Sequence, residues 1–278
     1  MKSLKTPLRY PGGKSRAVQK LFQYFPDLKD YTEFREPFVG GGSVALEVTK
    51  RYPDLSIWVN DLYEPLVNFW QQLQMFGVEF SESVISLKTT CNTSDKARQL
   101  FSVSKEKIND QTVSNFDRAV SFYVVNKCSF SGLTESSSFS EQASNNNFSM
   151  RGIEKLPEYS KLITSWRITN YSYDYILEDF NPKAFLYLDP PYDIKDNLYG
   201  HKGSMHKSFN HDKFAEDCNQ HEFDMMVSYN SDQLVKQRFS QSYWKAIEFD
   251  HTYTLRSIGD YMKEQHQRKE LILINYEL

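Results

Sequence analysis

Apolar residues open the chain's readable pattern as two short runs, each followed by a helical period. Residues 33–39 (EFREPFV) read as a strand, and GGGSVALEVTKRY (40–52) follows as a glycine turn opening a helix. LSIWVND (55–61) is a second strand ending on Asn60 and Asp61. In YEPLVNFWQQLQMF (63–76), Leu66, Phe69, Trp70, Leu73 and Phe76 recur at helical spacing. This β-α-β-α order predicts the start of a doubly wound α/β sheet. The alternation then lapses, and residues 79–166 read as helical or irregular. Within them TESSSFSEQASNNNFS (134–149) is expected as a polar surface loop, or a segment that orders on a partner. Strand patterns resume at RITNYS (167–172), AFLYLDPPY (184–192), FDMMVSYN (223–230), KAIEFD (245–250) and ELILINY (270–276), with helices at 175–180, 212–220 and 232–239. The expectation is one α/β sheet split by an inserted lobe: residues 1–64 and 167–278 form the sheet domain, and 65–166 the insertion.

Composition narrows the setting. The 278 residues are 40% hydrophobic and 25% charged, enough for a sizeable core. A net charge of −3 argues against whole-surface attraction to nucleic acid. Lys5, Arg9, Lys14, Arg16 and Lys20 nonetheless cluster without an intervening acid, and charge alone makes them a solvated helix face. Three scattered cysteines, Cys91, Cys128 and Cys218, suit a reducing compartment and give no disulfide framework. None lies near a histidine at zinc-ligand spacing, so no metal is expected, and His201, His206 and His211 read as loop histidines. With no bilayer-length apolar run and no signal peptide, a cytoplasmic protein is expected.

The glycine turn carries candidate chemistry. GGGSVA (40–45) satisfies G-x-G-x-x-G/A through Gly40, Gly42 and Ala45, after a strand and before a helix. Asp61, at the tip of the next strand, is placed to accept hydrogen bonds from ribose hydroxyls. An adenosine-type cofactor follows, with both a nicotinamide dinucleotide and S-adenosyl-L-methionine open. YPGGKS (10–15) ends like a P-loop, but the required earlier glycine is Leu8 and no strand precedes it.

LDPPY (188–192) discriminates between the cofactors. It supplies no proton-shuttling histidine for hydride transfer. Two prolines fix φ, and the residue before a proline is held extended. Asp189 and the Pro190 carbonyl are therefore expected as paired acceptors at the C-terminal edge of a strand, where open α/β sheets bind ligands. Two acceptors suit an amino group on an aromatic ring, whose delocalised lone pair makes it a weak nucleophile. Accepting from both N–H groups favours a tetrahedral nitrogen, and so the transition state over the ground state. Tyr192 offers a face for the base, which has to be flipped out of a duplex or be already single-stranded to reach it.

Taken together these motifs resemble the Dam-type (D12 class) DNA adenine-N6 methyltransferases. PLRYPGGKSR (7–16) resembles the family's N-terminal cofactor motif, EPFVGGGSV (36–44) its glycine motif, and Asn60-Asp61 its ribose-binding acid. NKCSFSGL (126–133) is similar to its asparagine-aromatic-glycine DNA-recognition segment, LDPPY to its catalytic motif, HKSFNHDKF (206–214) to the segment after it, and the chain from 256 to 276 to its closing strand. The resemblance implies a Rossmann-like sheet with a mostly helical DNA-recognition lobe, S-adenosyl-L-methionine as cofactor and double-stranded DNA as partner. It also implies a monomer in a bacterial or phage-infected cell, within a restriction-modification setting. Cofactor contacts are implied for Tyr10, Lys14, Pro37, Phe38, Gly40, Gly42, Ser43, Asp61 and Asp189. Catalysis falls to Asp189, Pro190, Pro191 and Tyr192, and DNA contacts to Arg9, Arg118, Asn126, Lys127 and Arg151. Relatives that read GATC carry an arginine soon after the Gly-Leu pair. Here Gly132-Leu133 runs into TESSSFSE, which weighs against a GATC target.

Overall fold

In the computed structural model the described residues are 4–10, 12–132, 137–192, 209–250 and 269–278. Strands β1 (Glu33–Glu36) and β2 (Ser56–Asn60) pair in parallel, with Phe34 opposite Ile57 and Glu36 opposite Val59. β3 (Arg167–Thr169) adds outside β2, while β4 (Ala184–Leu188) adds on the other side of β1 and β5 (Asp224–Asn230) beyond it, all parallel. β6 (Lys245–Asp250) forms the far edge, and β7 (Lys269–Ile274) inserts between β5 and β6, antiparallel to both. The resulting order is β3-β2-β1-β4-β5-β7-β6.

That order decides where a ligand can sit. The chain winds outward from β1 through β2 and β3, then restarts at β4 and winds the other way. A crevice opens where the direction changes, beyond the C-terminal ends of β1 and β4. Because β7 runs backwards, its first residues lie at this same edge, with Glu270 opposite Asn230. β4 is buried along its whole length. Phe185 and Tyr187 enter one core while Ala184, Leu186 and Leu188 enter the other, as the two-residue period of a doubly covered strand requires.

Two short N-terminal elements, α1 (Val18–Leu21) and α2 (Ser43–Arg51), precede the helical region between β2 and β3. That region holds α3 (Glu64–Met75), α4 (Gly77–Thr90), α5 (Ser94–Lys107), α6 (Asn115–Cys128), α7 (Glu141–Asn146), α8 (Met150–Ile153) and α9 (Leu156–Leu162). α6 is buried from Arg118 to Cys128 and is the central post of this region. Phe69 of α3 packs on Phe122 and Tyr123 of α6, and the apolar residues here join the core on one face of the sheet without a break.

The expected polar loop at 134–149 is in part helix. The Ser140 hydroxyl accepts from the Ala143 N–H and starts α7, and Ser149 accepts from Gly152 N–H and starts α8. Serine favours a helix start because its oxygen satisfies an otherwise unpaired N–H. After β3, α10 (Tyr173–Glu178), α11 (His211–Gln220) and α12 (Gln233–Arg238) cover the sheet's other face. His211 is not a loop histidine: it begins α11, is buried, and its Nδ1 lies 2.8 Å from the Tyr229 hydroxyl. His201, His206 and the segment around residue 256 lie outside the described residues.

Candidate active site

Glycine at 40 and 42 is dictated by neighbouring rings. Both residues have positive φ, +46° and +66°. A Cβ on Gly40 would lie 2.8 Å from Tyr10, and one on Gly42 would lie 2.8 Å from Trp70, closer than carbon atoms approach. Trp70 also donates its indole N–H to the Gly40 carbonyl, at 3.1 Å. The turn is thus clamped between Tyr10 and Trp70, in a conformation that side chains rarely adopt. At its exit Glu36 accepts from the Ala45 N–H at 2.8 Å and caps the first turn of α2. The hydroxyls of Ser43 and Ser15 meet at 2.8 Å and hold the N-terminal segment against the turn.

Asp61 ties β2 to the turn. One carboxylate oxygen accepts from the Gly40 N–H and the other from the Tyr63 N–H, each at 3.0 Å. Burial raises its pKa to about 6 in spite of those bonds, and burial lifts Glu36 well above the usual carboxylate range. A carboxylate has about four lone-pair sites, and backbone N–H groups, those of Gly40 and Tyr63 among them, take up only part of them.

The switch-point crevice widens into a cavity of about 320 Å³, within the range of small-molecule sites. Tyr10, Lys14, Pro37, Phe38, the glycine turn with Ser43, and Asp61 line it, as do all four residues from Asp189 to Tyr192. The motifs expected to share a site therefore do so. Sequence reasoning missed Glu36, Tyr171, Tyr173, Asp174 and Lys213, which also line it.

Lys14 departs most from its sequence reading. It is no part of a solvated face, with only 3% of its side chain exposed. Its ammonium donates to both Asp189 oxygens at 2.7 and 2.8 Å and to the Tyr192 hydroxyl at 2.6 Å. The Glu270 carboxylate lies 3.3 Å from it. Burial alone would lower the Lys14 pKa, but Asp189 and Glu270 together carry it above the usual lysine range. Asp189 is pushed up to about 6 by burial, which outweighs the pull of Lys14, and Glu270 adds to the rise. The Tyr192 hydroxyl donates to Glu270 at 2.6 Å, and its ring stacks on Tyr229 at 6.0 Å between centroids. Glu270 had no signal in the sequence: an acid opening an apolar strand reads as its solvent end until the strand's direction is known.

Candidate DNA contacts separate into two groups. Arg118 is 2% exposed, and its guanidinium donates to the Ile108 carbonyl at 2.9 Å and pairs with Glu64. It holds α6 to α3 and the α5–α6 connection, and offers no surface to a phosphate. Asn126 is wholly buried, and its amide grips the Arg9 backbone, accepting from its N–H at 2.9 Å and donating to its carbonyl at 2.6 Å. It acts as a brace, correcting the contact expected of it. Arg9 is half-buried beside the cavity's N-terminal wall, donating to the Ser129 carbonyl at 2.7 Å. Lys127 is 9% exposed, 5.3 Å from the Tyr123 ring, and burial together with Arg9 lowers its pKa to about 8. Arg151 is exposed on α8. Leu133 and the residues after it, where a base-reading arginine was sought, lie outside the described residues as far as 136.

Comparison with known proteins gives the family. Residues 10–264 match the family described as D12 class N6 adenine-specific DNA methyltransferase. The chain is 24% identical to the Modification methylase StsI of Streptococcus sanguinis, an alignment covering 99% of this chain and 43% of that protein. It is 23% identical to the Type II methyltransferase M.MjaIII of Methanocaldococcus jannaschii, over 66% of this chain and 68% of that one. A DNA N-6-adenine-methyltransferase of Escherichia phage P1 is 29% identical over 45% of this chain, which is 15% of its own length. The chain thus spans under half the length of the streptococcal relative. Membership of the matched family implies S-adenosylmethionine as methyl donor. With the family matched across nearly the whole chain, and its cofactor and DPPY motifs meeting in one cavity, this chain belongs to the D12 class of N6 adenine-specific DNA methyltransferases.

Proposed function

We propose that the chain transfers a methyl group from S-adenosyl-L-methionine to the exocyclic N6 amino group of adenine in double-stranded DNA, with the adenine swung out of the helix. The observation that carries this reading is the meeting of Asp189 and the glycine turn in one cavity, with Asp61 between β2 and that turn.

The cavity suits a cationic nucleoside. Four of its lining residues are acids, Glu36, Asp61, Asp174 and Asp189. Asp189 is matched by Lys14, and Lys213 pairs more closely with Asp217, outside the lining, than with Asp174, which leaves Asp61 as an acid not offset by a lining lysine among the described residues. A positively charged sulfonium gains from such a wall. The paired phosphates of a dinucleotide would be repelled by it, and the Gly40 N–H they would need is already given to Asp61. When bound, the cofactor supplies an electrophilic methyl carbon on a sulfonium.

The chain's own residues then act on the acceptor. The Asp61 carboxylate accepts from the ribose hydroxyls, while Tyr10 and Phe38 wall the cofactor, with Pro37 and Ser43 holding the turn beside it. Tyr192 stacks on the adenine, and Pro190 and Pro191 hold the loop stiff. Asp189 accepts from the amino group, so that the positive charge developing on N6 meets a carboxylate. Held against the Asp189 carboxylate, N6 would accept the methyl group that the bound cofactor supplies and would give up one proton to solvent. The helical region between β2 and β3 forms the DNA-facing lobe. Lys127 and Arg151 meet phosphates there together with Arg9 of the N-terminal segment, and Arg118 and Asn126 hold the lobe in shape. The chain acts as a monomer in the cytoplasm.

Transfer of labelled methyl to duplex DNA, single-stranded RNA and protein, followed by nucleoside analysis, tests this. N6-methyladenine from DNA is the expected product. N4-methylcytosine, or label confined to RNA, would overturn it.

A further inference from the structure

A buried carboxylate has no place in a sheet core unless something holds it there, since leaving water costs an ion several kcal/mol. Glu270 is completely buried in the second position of β7, between Lys269 and a run of four leucines and isoleucines. Nothing in its local sequence calls for a charge. Two site residues meet it: it accepts from the Tyr192 hydroxyl at 2.6 Å and lies 3.3 Å from the Lys14 ammonium. Reversal of β7 is what brings it to the ligand edge of the sheet.

Two consequences follow from this placement. The first concerns the ring of Tyr192. Tyr229 packs on the ring while Glu270 accepts the hydroxyl's hydrogen bond and Lys14 donates to the hydroxyl oxygen. A ring held at its face and its tip cannot swing, so the surface it offers to a base is set in advance. The second concerns charge. One ammonium faces two carboxylates, at 2.7 Å for Asp189 and 3.3 Å for Glu270. Without Glu270, Lys14 would belong to Asp189 alone, and a bidentate ammonium is a strong competitor for the oxygens that an amino substrate needs. Shared between the two acids, Lys14 can lean toward Glu270 as the amino group arrives without being left unbalanced in a dry site.

We infer that Glu270 is a positioning residue for methyl transfer: it anchors the Tyr192 hydroxyl and shares Lys14 with Asp189, so that ring and carboxylate both stay ready for the substrate. This inference rests on the proposed function. It assigns work to a residue that touches neither methyl donor nor base.

Two substitutions test it, measured as single-turnover methylation with saturating labelled cofactor and duplex DNA. Glu270→Gln keeps an acceptor for the tyrosine and removes the charge. The rate constant should fall at least 10-fold, while cofactor affinity by calorimetry stays within about 3-fold and the melting temperature does not fall. Tyr192→Phe keeps the ring and removes the anchor, and should slow transfer in the same way with cofactor affinity kept. Rates within 2-fold of wild type in either variant would overturn the inference. So would a slower Glu270→Gln enzyme whose cofactor affinity or melting temperature drops in proportion, since that is the mark of a merely structural residue. The wild-type control separates the two levels. If it methylates no adenine, the proposed function falls and takes this inference with it; if it does, the variants judge Glu270 alone.

Discussion

Replacing Asp61 by alanine sets two opposed effects against each other. The carboxylate accepts from the N–H groups of Gly40 and Tyr63, and its loss leaves two buried donors unsatisfied. Each such orphan costs about 1–3 kcal/mol, hence about 2–6 kcal/mol together. Against this stands the cost of burying the charge itself. A pKa raised from its ordinary 3.8 to about 6 corresponds to about 3 kcal/mol at neutral pH, which the substitution relieves. The net effect on folding stability is then small, from a gain of about 1 kcal/mol to a loss of about 3 kcal/mol. Cofactor affinity has no such compensation. Two ribose hydrogen bonds to a carboxylate, at about 1.5–3 kcal/mol each, make the variant bind at least about 100-fold more weakly. Calorimetric titration with S-adenosylmethionine, alongside thermal unfolding, measures both quantities on one sample. Unchanged affinity would remove Asp61 from the cofactor site. Gross unfolding would mean that its two backbone bonds dominate and the charge-burial cost has been overstated.

Further consequences can be tested on the same protein. Asp189 must be ionised to accept from the amino group, so the single-turnover rate should rise with pH through about 6 and then level off. Its folded pKa exceeds the unfolded value, so the native state holds more protons between about pH 4 and 6. Stability from this group therefore falls as pH rises across that window. Lys127, with a pKa lowered to about 8, should hold DNA less tightly as pH rises past that value, and Lys127→Ala should reduce the slope of log affinity against log salt by about 0.9. Arg118→Ala should leave that slope intact and lower stability by about 1–3 kcal/mol in denaturant unfolding, because the Ile108 carbonyl loses its donor while Glu64 is half-exposed. Gly40→Ala should weaken folding and cofactor binding together, as its methyl group would press on Tyr10 in a left-handed backbone.

How much of this was legible in the chain depends on whether the physics involved is local. The glycine turn, the Asp61 tip and DPPY could be placed at one sheet edge because strand ends and turn residues announce themselves over a few positions. Strand positions were recovered to within a few residues for the same reason, although the 167–172 run shortened to β3 and 184–192 to β4. Charge was the poor guide. Lys14, Arg118 and Glu270 carry no mark of burial in their neighbours, and their partners lie 175, 54 and 78 positions away. Only the assembled fold says which charge meets which. Asn126 misled in another way, because an amide that pairs with a backbone looks in sequence like one that pairs with a base. Polarity at 134–149 concealed α7, since the serines that make the segment look like a loop are its helix cap and its neighbour's.

The claim on which the rest depends is that Asp189 acts on the acceptor nitrogen. Its most direct measurement is the single-turnover rate of Asp189→Ala on duplex DNA with cofactor held at saturation, paired with a cofactor-binding isotherm. The account predicts a rate about 1,000-fold below wild type, the scale of losing a preorganised transition-state contact, with binding affected far less. Methylation of adenine at a near wild-type rate would contradict it.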